Sequence, residues 1–294
     1  MSDFVTELSE KVEYVEDVLS RKGVLKEEGY QKTVIEAMNY ALNGGGKRLR
    51  PLIMSEVYTM YGGADKDIIE SFMTALEMIH TYSLIHDDLP CMDDDDYRRG
   101  KLSVHKAFEE NTAVLAGDGL LTEAFGVVAK DEGISFEKRI KIIKYLSSLA
   151  GVGGMIHGQL LDLQSENSTH VTDEMLEEID DYKTGCLFRC SLLIPMVLVE
   201  DEEHEEFYNM VGTKIGRIFQ IQDDLFDVIK TQEETGKPSN SDSKNAKATA
   251  LSINSVDEIR KKLNKEFDEI YNLLVDRNFN TEYLRNIIKK IEKR

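Results

Sequence analysis

The sequence predicts an all-α protein, and three observations carry that expectation. Apolar residues recur at helical spacing along most of the chain. No segment alternates convincingly with period two. Glycine-rich and polar breaks cut the chain into roughly ten or more helices joined by short connections, which should pack as a bundle around a central cavity.

Val12, Val15, Val18 and Leu19 form the first apolar stripe, and Val34, Met38, Ala41 and Leu42 the second. Asn43-Gly44-Gly45-Gly46 breaks the chain after it, and Gly62-Gly63 breaks it again. The apolar-rich segment 68–86 leads into Asp87 and Asp88. Pro90 disfavours helical geometry at Leu89, so that helix should end near Asp88. Further breaks fall at 131–135 and 165–172. Thr172, followed by Asp173 and Glu174, reads as a helix start with acids in its first turn. Phe207, Val211, Ile215, Ile218 and Ile221 make a third stripe. The polar stretch 233–247 reads either as a lid or as a passive surface loop. No Pro/Gly/Ser-rich linker separates two cores, so residues 1–294 read as one domain.

Composition narrows the function. Apolar residues at 41% and charged residues at 31% are ordinary for a globular chain. A formal net charge of −19 argues against nucleic acid and anionic membrane as partners, since both need basic faces. An anionic ligand would require metal ions and local Lys/Arg to reverse the field. The N-terminal sequence MSDFVTELSEKVE lacks the basic start and apolar run of a secretory signal. The longest uninterrupted apolar run, Leu192 to Val199, contains Pro195 and falls far short of the ~20 residues that span a bilayer. The expectation is a cytoplasmic protein without a membrane partner. Three cysteines suit a reducing compartment, and Cys186 and Cys190 read as helix-packing residues.

Two acidic motifs stand out. In the second, Gln220, Asp223, Asp224 and Asp227 share one helical face. That face runs back to Gly216 and Gly212, each costing about 1 kcal/mol relative to alanine in a helix interior. Something therefore needs the space beside them. A solvated acidic face with glycines for close helix packing is one reading. Against it, Ile218, Phe219, Ile221, Leu225, Phe226 and Val228 suggest a helix buried nearly all round, whose carboxylates need a cation. In the first motif, Asp87 and Asp88 sit at the negative end of a helix dipole and again need a cation. Asp93 can fold back to share it. Mg²⁺ fits best, because it takes one or two carboxylates and leaves positions for substrate phosphates. Asp94, Asp95 and Asp96 suit an acidic surface loop.

Positive charge is scarce and clustered. The segment 44–51, GGGKRLRP, places Lys47, Arg48 and Arg50 beside flexible backbone, as an anion pocket requires, without the spacing of a Walker loop. Arg98-Arg99 follows the first acidic motif. Each cluster alone reads as a solvated patch; together with the aspartate motifs they look like receptors for diphosphates.

At this point the residues resemble the trans-isoprenyl diphosphate synthases, on the bacterial farnesyl-type side, from about residue 43 to 249. The likeness rests on GGGKRLRP, LIHDDLPCMDDDDYRRGK, GDGLL, GGMIHGQLLDL, YKTG, FQIQDDLFDV and a GK/KAT loop, all in the family's order. It implies the isoprenoid synthase fold and a homodimer. It implies that Asp87 and Asp93, assisted by Asp88, and Asp223, assisted by Asp224 and Asp227, hold Mg²⁺, usually three ions per site with Mn²⁺ able to substitute. Arg98, Lys183, Thr184, Gln220 and Lys237 would contact the allylic diphosphate. Lys47, Arg50, His80 and Arg99 would hold isopentenyl diphosphate without metal. The reaction would ionise the allylic diphosphate and join the resulting cation to the double bond of isopentenyl diphosphate, the released diphosphate taking the final proton. Tyr82, with Ser83 beside it, would floor the allylic tail about 7.5 Å below Asp87 at 1.5 Å per residue. An aromatic there implies a C15 product through a C10 intermediate.

The chain departs from the family near its C-terminal lid, where Lys247-Ala248-Thr249-Ala250-Leu251 lacks the usual tyrosine. Alternatives are a geranylgeranyl diphosphate synthase, a class I terpene cyclase, or a non-catalytic prenyltransferase subunit. A cyclase should lack the second aspartate motif and the Gly-Lys-Arg site, and a non-catalytic subunit typically loses motif aspartates. This chain keeps all six.

Overall fold

The computed structural model describes residues 2–23, 25–166, 171–229, 254–275 and 281–292. Its helices are α1 (Ser2–Val18), α2 (Lys32–Leu42), α3 (Leu49–Met60), α4 (Lys66–Asp87), α5 (Val104–Phe108), α6 (Glu110–Lys130), α7 (Phe136–Ala150), α8 (Met155–Ser165), α9 (Asp173–Ile179), α10 (Cys186–Val199), α11 (Glu205–Ile229), α12 (Val256–Val275) and α13 (Glu282–Glu292). The breaks at 43–46, 62–63 and 131–135 each separate two of these helices. The stretch 233–247, with Lys237 and Lys247, lies outside the described residues, as do Ala248, Thr249, Ala250 and Leu251.

The chain forms two compact units, Met1–Ser55 with Gly63–Ile143, and Glu56–Gly62 with Lys144–Arg294. In the first, α4 is the central element and packs on α1, α2 and α6. Its N-terminus is capped by Asp65, which accepts from the Asp67 N–H at 3.1 Å. Phe72, Met73, Leu76, Met78 and Ile79 are fully buried along it. Opposite, α6 presents small residues, Ala113, Ala116 and Gly117, so the two helices come close. A β-carbon at Gly117 would overlap the His86 imidazole.

The sequence pattern contains no strand signal, yet a two-residue ladder forms between β1 (Tyr97–Arg98) and β2 (Lys101–Leu102), with Tyr97 opposite Leu102. Its turn, Arg99-Gly100, has positive φ at both residues, 53° and 75°. That geometry matches the twist of a tight hairpin. Here arginine occupies a position usually read from Asn or Asp, which is why the pattern is inconspicuous.

In the second unit, Thr172 caps α9 by accepting from the Met175 N–H at 3.3 Å, the helix start expected from the sequence. α9 passes into α10 through a single π turn, Asp180–Gly185. α10 is apolar nearly all round, and Cys186 and Cys190 are buried in it as packing residues. It packs on α11, which also meets α12. Within this unit Ile221 and Leu225 of α11 form a buried cluster with Ile259 of α12.

Among the described residues two stretches, Glu110–Lys130 and Asp173–Val199, reach the length and apolarity of a membrane span despite the short uninterrupted run noted above. The most apolar 18-residue window of the second is 78% buried inside the protein, as in a core helix, whereas that of the first is 33% buried.

Candidate active site

Lys47 and Arg50 flank Arg48, and the fold separates their roles. The loop before α3 takes left-handed backbone at Gly45, Gly46 and Arg48, with φ of 81°, 138° and 48°. This rotates Arg48 inward, where its Nη1 donates to Glu77 at 2.6 Å, its Nε to Glu16 at 2.8 Å and its Nη2 to the Leu42 carbonyl at 2.7 Å. Arg48 is thus a structural anchor and not part of an anion pocket, a correction to the three-cation reading. Lys47 is left exposed and Arg50 half-buried.

Arg50 on α3 reaches His80 on α4, its Nη1 3.4 Å from Nε2. Burial holds the His80 imidazole well below its ordinary pKa, and Arg50, Arg99, Arg48 and Arg98 push in the same direction. His80 is therefore neutral amid cations and can offer one N–H and one acceptor nitrogen. Arg99 comes from the hairpin turn and lies against Gly46, where a β-carbon would sit 2.8 Å from its Cζ. Burial lowers its pKa, opposed first by Glu77. The glycine loop, α4 and the hairpin thereby bring Arg50, His80 and Arg99 together.

Two turns beyond His80, α4 ends at Asp87 with Asp88 as its cap, in keeping with the end near Asp88 that the sequence predicts. The chain then doubles back, and the Asp93 N–H donates to the Asp87 carbonyl at 2.8 Å. That bond sets Asp93 beside the helix end, the fold-back expected from the motif spacing. Asp88 is buried, and its Oδ1 accepts from Arg98 Nε at 2.8 Å and again from Nη2. Burial raises the Asp88 pKa to about 6, with Arg98 opposing. Arg98 also approaches Asp95 at 3.4 Å. Tyr82 is buried, with its ring edge-on to His86 at 5.8 Å, and burial followed by Asp87 raises its pKa to about 12. The Ser83 hydroxyl donates to the His80 carbonyl.

The second motif lies in the other unit. The Thr184 hydroxyl donates to Gln220 Oε1 at 3.2 Å, and Gln220 Nε2 donates to Asp224 Oδ1 at 3.0 Å. Asp224 is buried and Asp223 half-buried; Asp227 lies on the same helix, and its side chain is outside the described ones. Lys183 pairs with Asp162 of α8, a residue whose motif was legible and whose role was not. Burial, then Asp224, holds the Asp180 carboxyl well above its usual range.

The two glycines of α11 have a packing role. A β-carbon at Gly216 would overlap the Gly185 backbone, and one at Gly212 would sit 2.7 Å from Arg189 Cα. On α8, a β-carbon at Gly158 would overlap the Lys183 backbone. The Gly216 and Gly158 contacts seat the π turn carrying Lys183 and Thr184 against α11 and α8, and the Gly212 contact seats α10 on α11, the glycine close packing that the sequence reading offered as an alternative. Arg217 clamps the same turn through both oxygens of Asp181 and reaches Glu177 at 3.2 Å.

Among the described residues no three His, Cys, Asp or Glu side chains converge closely enough to hold an ion unaided. Mg²⁺ does not demand that, because it keeps waters and takes substrate oxygens alongside one or two carboxylates. The all-oxygen donor set at the end of α4, with Asp93 drawn against Asp87, fits such an ion.

Comparison with solved structures gives the class. A synthase of FPP and GFPP from Zymomonas mobilis superposes with a TM-score of 0.85 at 32% identity, covering 99% of each chain. A geranyltransferase from Helicobacter pylori, solved with magnesium and isoprenyl diphosphate, gives 0.85 at 29% identity over 100% of this chain and 97% of that one. The fold is the all-α isoprenoid synthase fold. Farnesyl diphosphate synthases from Micrococcus luteus and Bacillus subtilis are 43% and 46% identical, covering 83% and 81% of this chain and the same shares of theirs. The polyprenyl synthetase family profile matches residues 31–291, and the chain belongs to that family.

Proposed function

We propose that this protein is a magnesium-dependent farnesyl diphosphate synthase, condensing isopentenyl diphosphate with dimethylallyl and then geranyl diphosphate and releasing diphosphate at each step. The observation that supports the reading is that α4 carries two unlike clusters, which would serve as two unlike anion receptors. His80 stands with Arg50 and Arg99, and Asp87 follows two turns later with Asp93 beside it. One receptor offers cations and the other needs them, as two differently held diphosphates require.

Asp87 and Asp93, and Asp223 with Asp224 and Asp227, would hold Mg²⁺. When bound, the metal neutralises the departing diphosphate as a Lewis acid. Arg98, Lys183, Thr184, Gln220 and Lys237 bind and orient that diphosphate. Arg98 and Lys183 are held by Asp88 and Asp162, so exchanging those partners for phosphate oxygens is part of binding. Lys47, Arg50, His80 and Arg99 fix isopentenyl diphosphate with its double bond toward the allylic carbon. The allylic C–O bond breaks with its electrons leaving on diphosphate, the C=C of isopentenyl diphosphate forms the new C–C bond, and the resulting cation loses a proton to the released diphosphate. Tyr82 and Ser83 limit the tail at C15. Three Mg²⁺ per site, replacement by Mn²⁺, a cytoplasmic location, a homodimer and a single working domain over 1–294 complete the reading.

The test is to incubate the protein with isopentenyl diphosphate, dimethylallyl diphosphate and Mg²⁺ and to identify the products by chromatography. Farnesyl diphosphate is expected; a cyclic hydrocarbon, or no turnover, overturns the reading. Asp87→Ala and Asp223→Ala should each lower turnover by several orders of magnitude while the helical circular dichroism is kept.

A further inference from the structure

One buried carboxylate ties together two chain segments of the cation cluster. Glu77 lies on α4 one turn before His80 and is 1% exposed. Its Oε1 accepts from Arg48 Nη1 at 2.6 Å and lies 4.0 Å from Arg99 Nη2. Arg48 belongs to the glycine loop and Arg99 to the hairpin turn, and both hold the left-handed backbone that non-glycine residues rarely adopt, φ 48° and 53°. Such conformations persist only where the surroundings over-determine them. Glu77 is the acid that lies within 4.0 Å of both.

The charges explain why a shared acid is needed. Arg99 is half-buried with Arg48 and Arg98 among its cationic neighbours, and Glu77 is first among the groups that oppose the loss of its charge. Like charges at this depth repel more strongly than in water. Without the carboxylate, Arg48 and Arg99 would be driven apart, and Arg99 would leave its seat against Gly46. Glu16 binds Arg48 directly, at 2.8 and 3.2 Å, and acts on Arg99 only at longer range.

We propose that Glu77 is a positioning residue for isopentenyl diphosphate, locking Arg99 and the glycine loop in the geometry that receives the metal-free diphosphate. Glu77 has this role only if Arg50, His80 and Arg99 hold that substrate, the assignment proposed above.

Steady-state kinetics with each substrate varied in turn tests it. Glu77→Gln is expected to raise KM for isopentenyl diphosphate about tenfold or more, with kcat and the allylic KM within about twofold of wild type. Glu16→Gln is the structural control and should lower Tm while leaving both KM values within about twofold. Arg50→Lys should raise KM for isopentenyl diphosphate. If Arg50→Lys does so and Glu77→Gln does not, Glu77 has no positioning role. If neither does, the site assignment itself fails. A fall in KM for Glu77→Gln would mean that the carboxylate merely weakens the positive field, and proportional rises in both KM values would mean a general loss of structure; either overturns the proposal. Should Glu77→Gln not fold, Glu77→Asp keeps the charge and withdraws it by one methylene, and the same selective rise in KM is expected; a wild-type KM for isopentenyl diphosphate then overturns it.

Discussion

Arg48 and Arg50 stand two positions apart, and what divides them is solvation. A guanidinium carried into the interior is tolerated only when its charge and N–H groups are matched, and Glu16, Glu77 and the Leu42 carbonyl do this for Arg48. Arg50 instead is half-buried and reaches the His80 imidazole, its Nη1 3.4 Å from Nε2. The His80 imidazole makes a pH prediction. It is neutral in the fold, whereas in the unfolded chain it takes up a proton below about 6.5. The unfolded state then binds more protons, so stability is lost as pH falls through that value. Asp88 acts in the opposite sense, since its raised carboxyl keeps a proton up to about 6 and the folded state holds more protons between 3.8 and 6. His80→Gln removes only the first effect, so its Tm should decline less than that of wild type between pH 7 and 5; parallel curves would refute the neutral histidine. Tyr82→Ala, at a buried ring, should lower stability by about 3 kcal/mol and yield products longer than C15. Chromatography showing products no longer than wild type would remove Tyr82 as the floor.

At the scale of elements, helical glycines divide by what faces them. Gly158 and Gly216 face backbone, so Gly158→Ala and Gly216→Ala should each cost about 1–3 kcal/mol by thermal denaturation. Because both seat the π turn with Lys183 and Thr184, the allylic KM should rise more than that for isopentenyl diphosphate. Gly126 on α6 would meet only side-chain atoms at 3.6 Å and beyond, so Gly126→Ala should be neutral or stabilising by up to about 1 kcal/mol. An equal Tm loss in all three variants would contradict this division. Helix boundaries were legible because glycine breaks, Pro90 and the Thr172 cap act over a few residues. The Arg99-Gly100 hairpin was not, because its turn is held in place by neighbours distant in sequence.

For the whole molecule, α6 is long and apolar yet only a third of its most apolar 18-residue window is buried, with Val114 39% and Leu115 54% exposed. These two adjacent apolar side chains would be covered in the proposed homodimer, so Leu115→Glu should convert that dimer to a monomer in sedimentation experiments; a wild-type monomer would dispose of the proposed homodimer. The sequence by itself determined the all-α class, the helix end near Asp88, the shared face of Gln220 to Asp227, and the family. Each depends on periodicity or on motifs of a few consecutive residues. Only the tertiary structure decided that Arg48 is an anchor while Arg50 faces His80, that Gly212 and Gly216 admit a neighbouring helix, and that Asp88 and Asp162 hold Arg98 and Lys183. Those outcomes depend on which groups become neighbours and lose water on folding, and burial and pairing are properties of the packed chain.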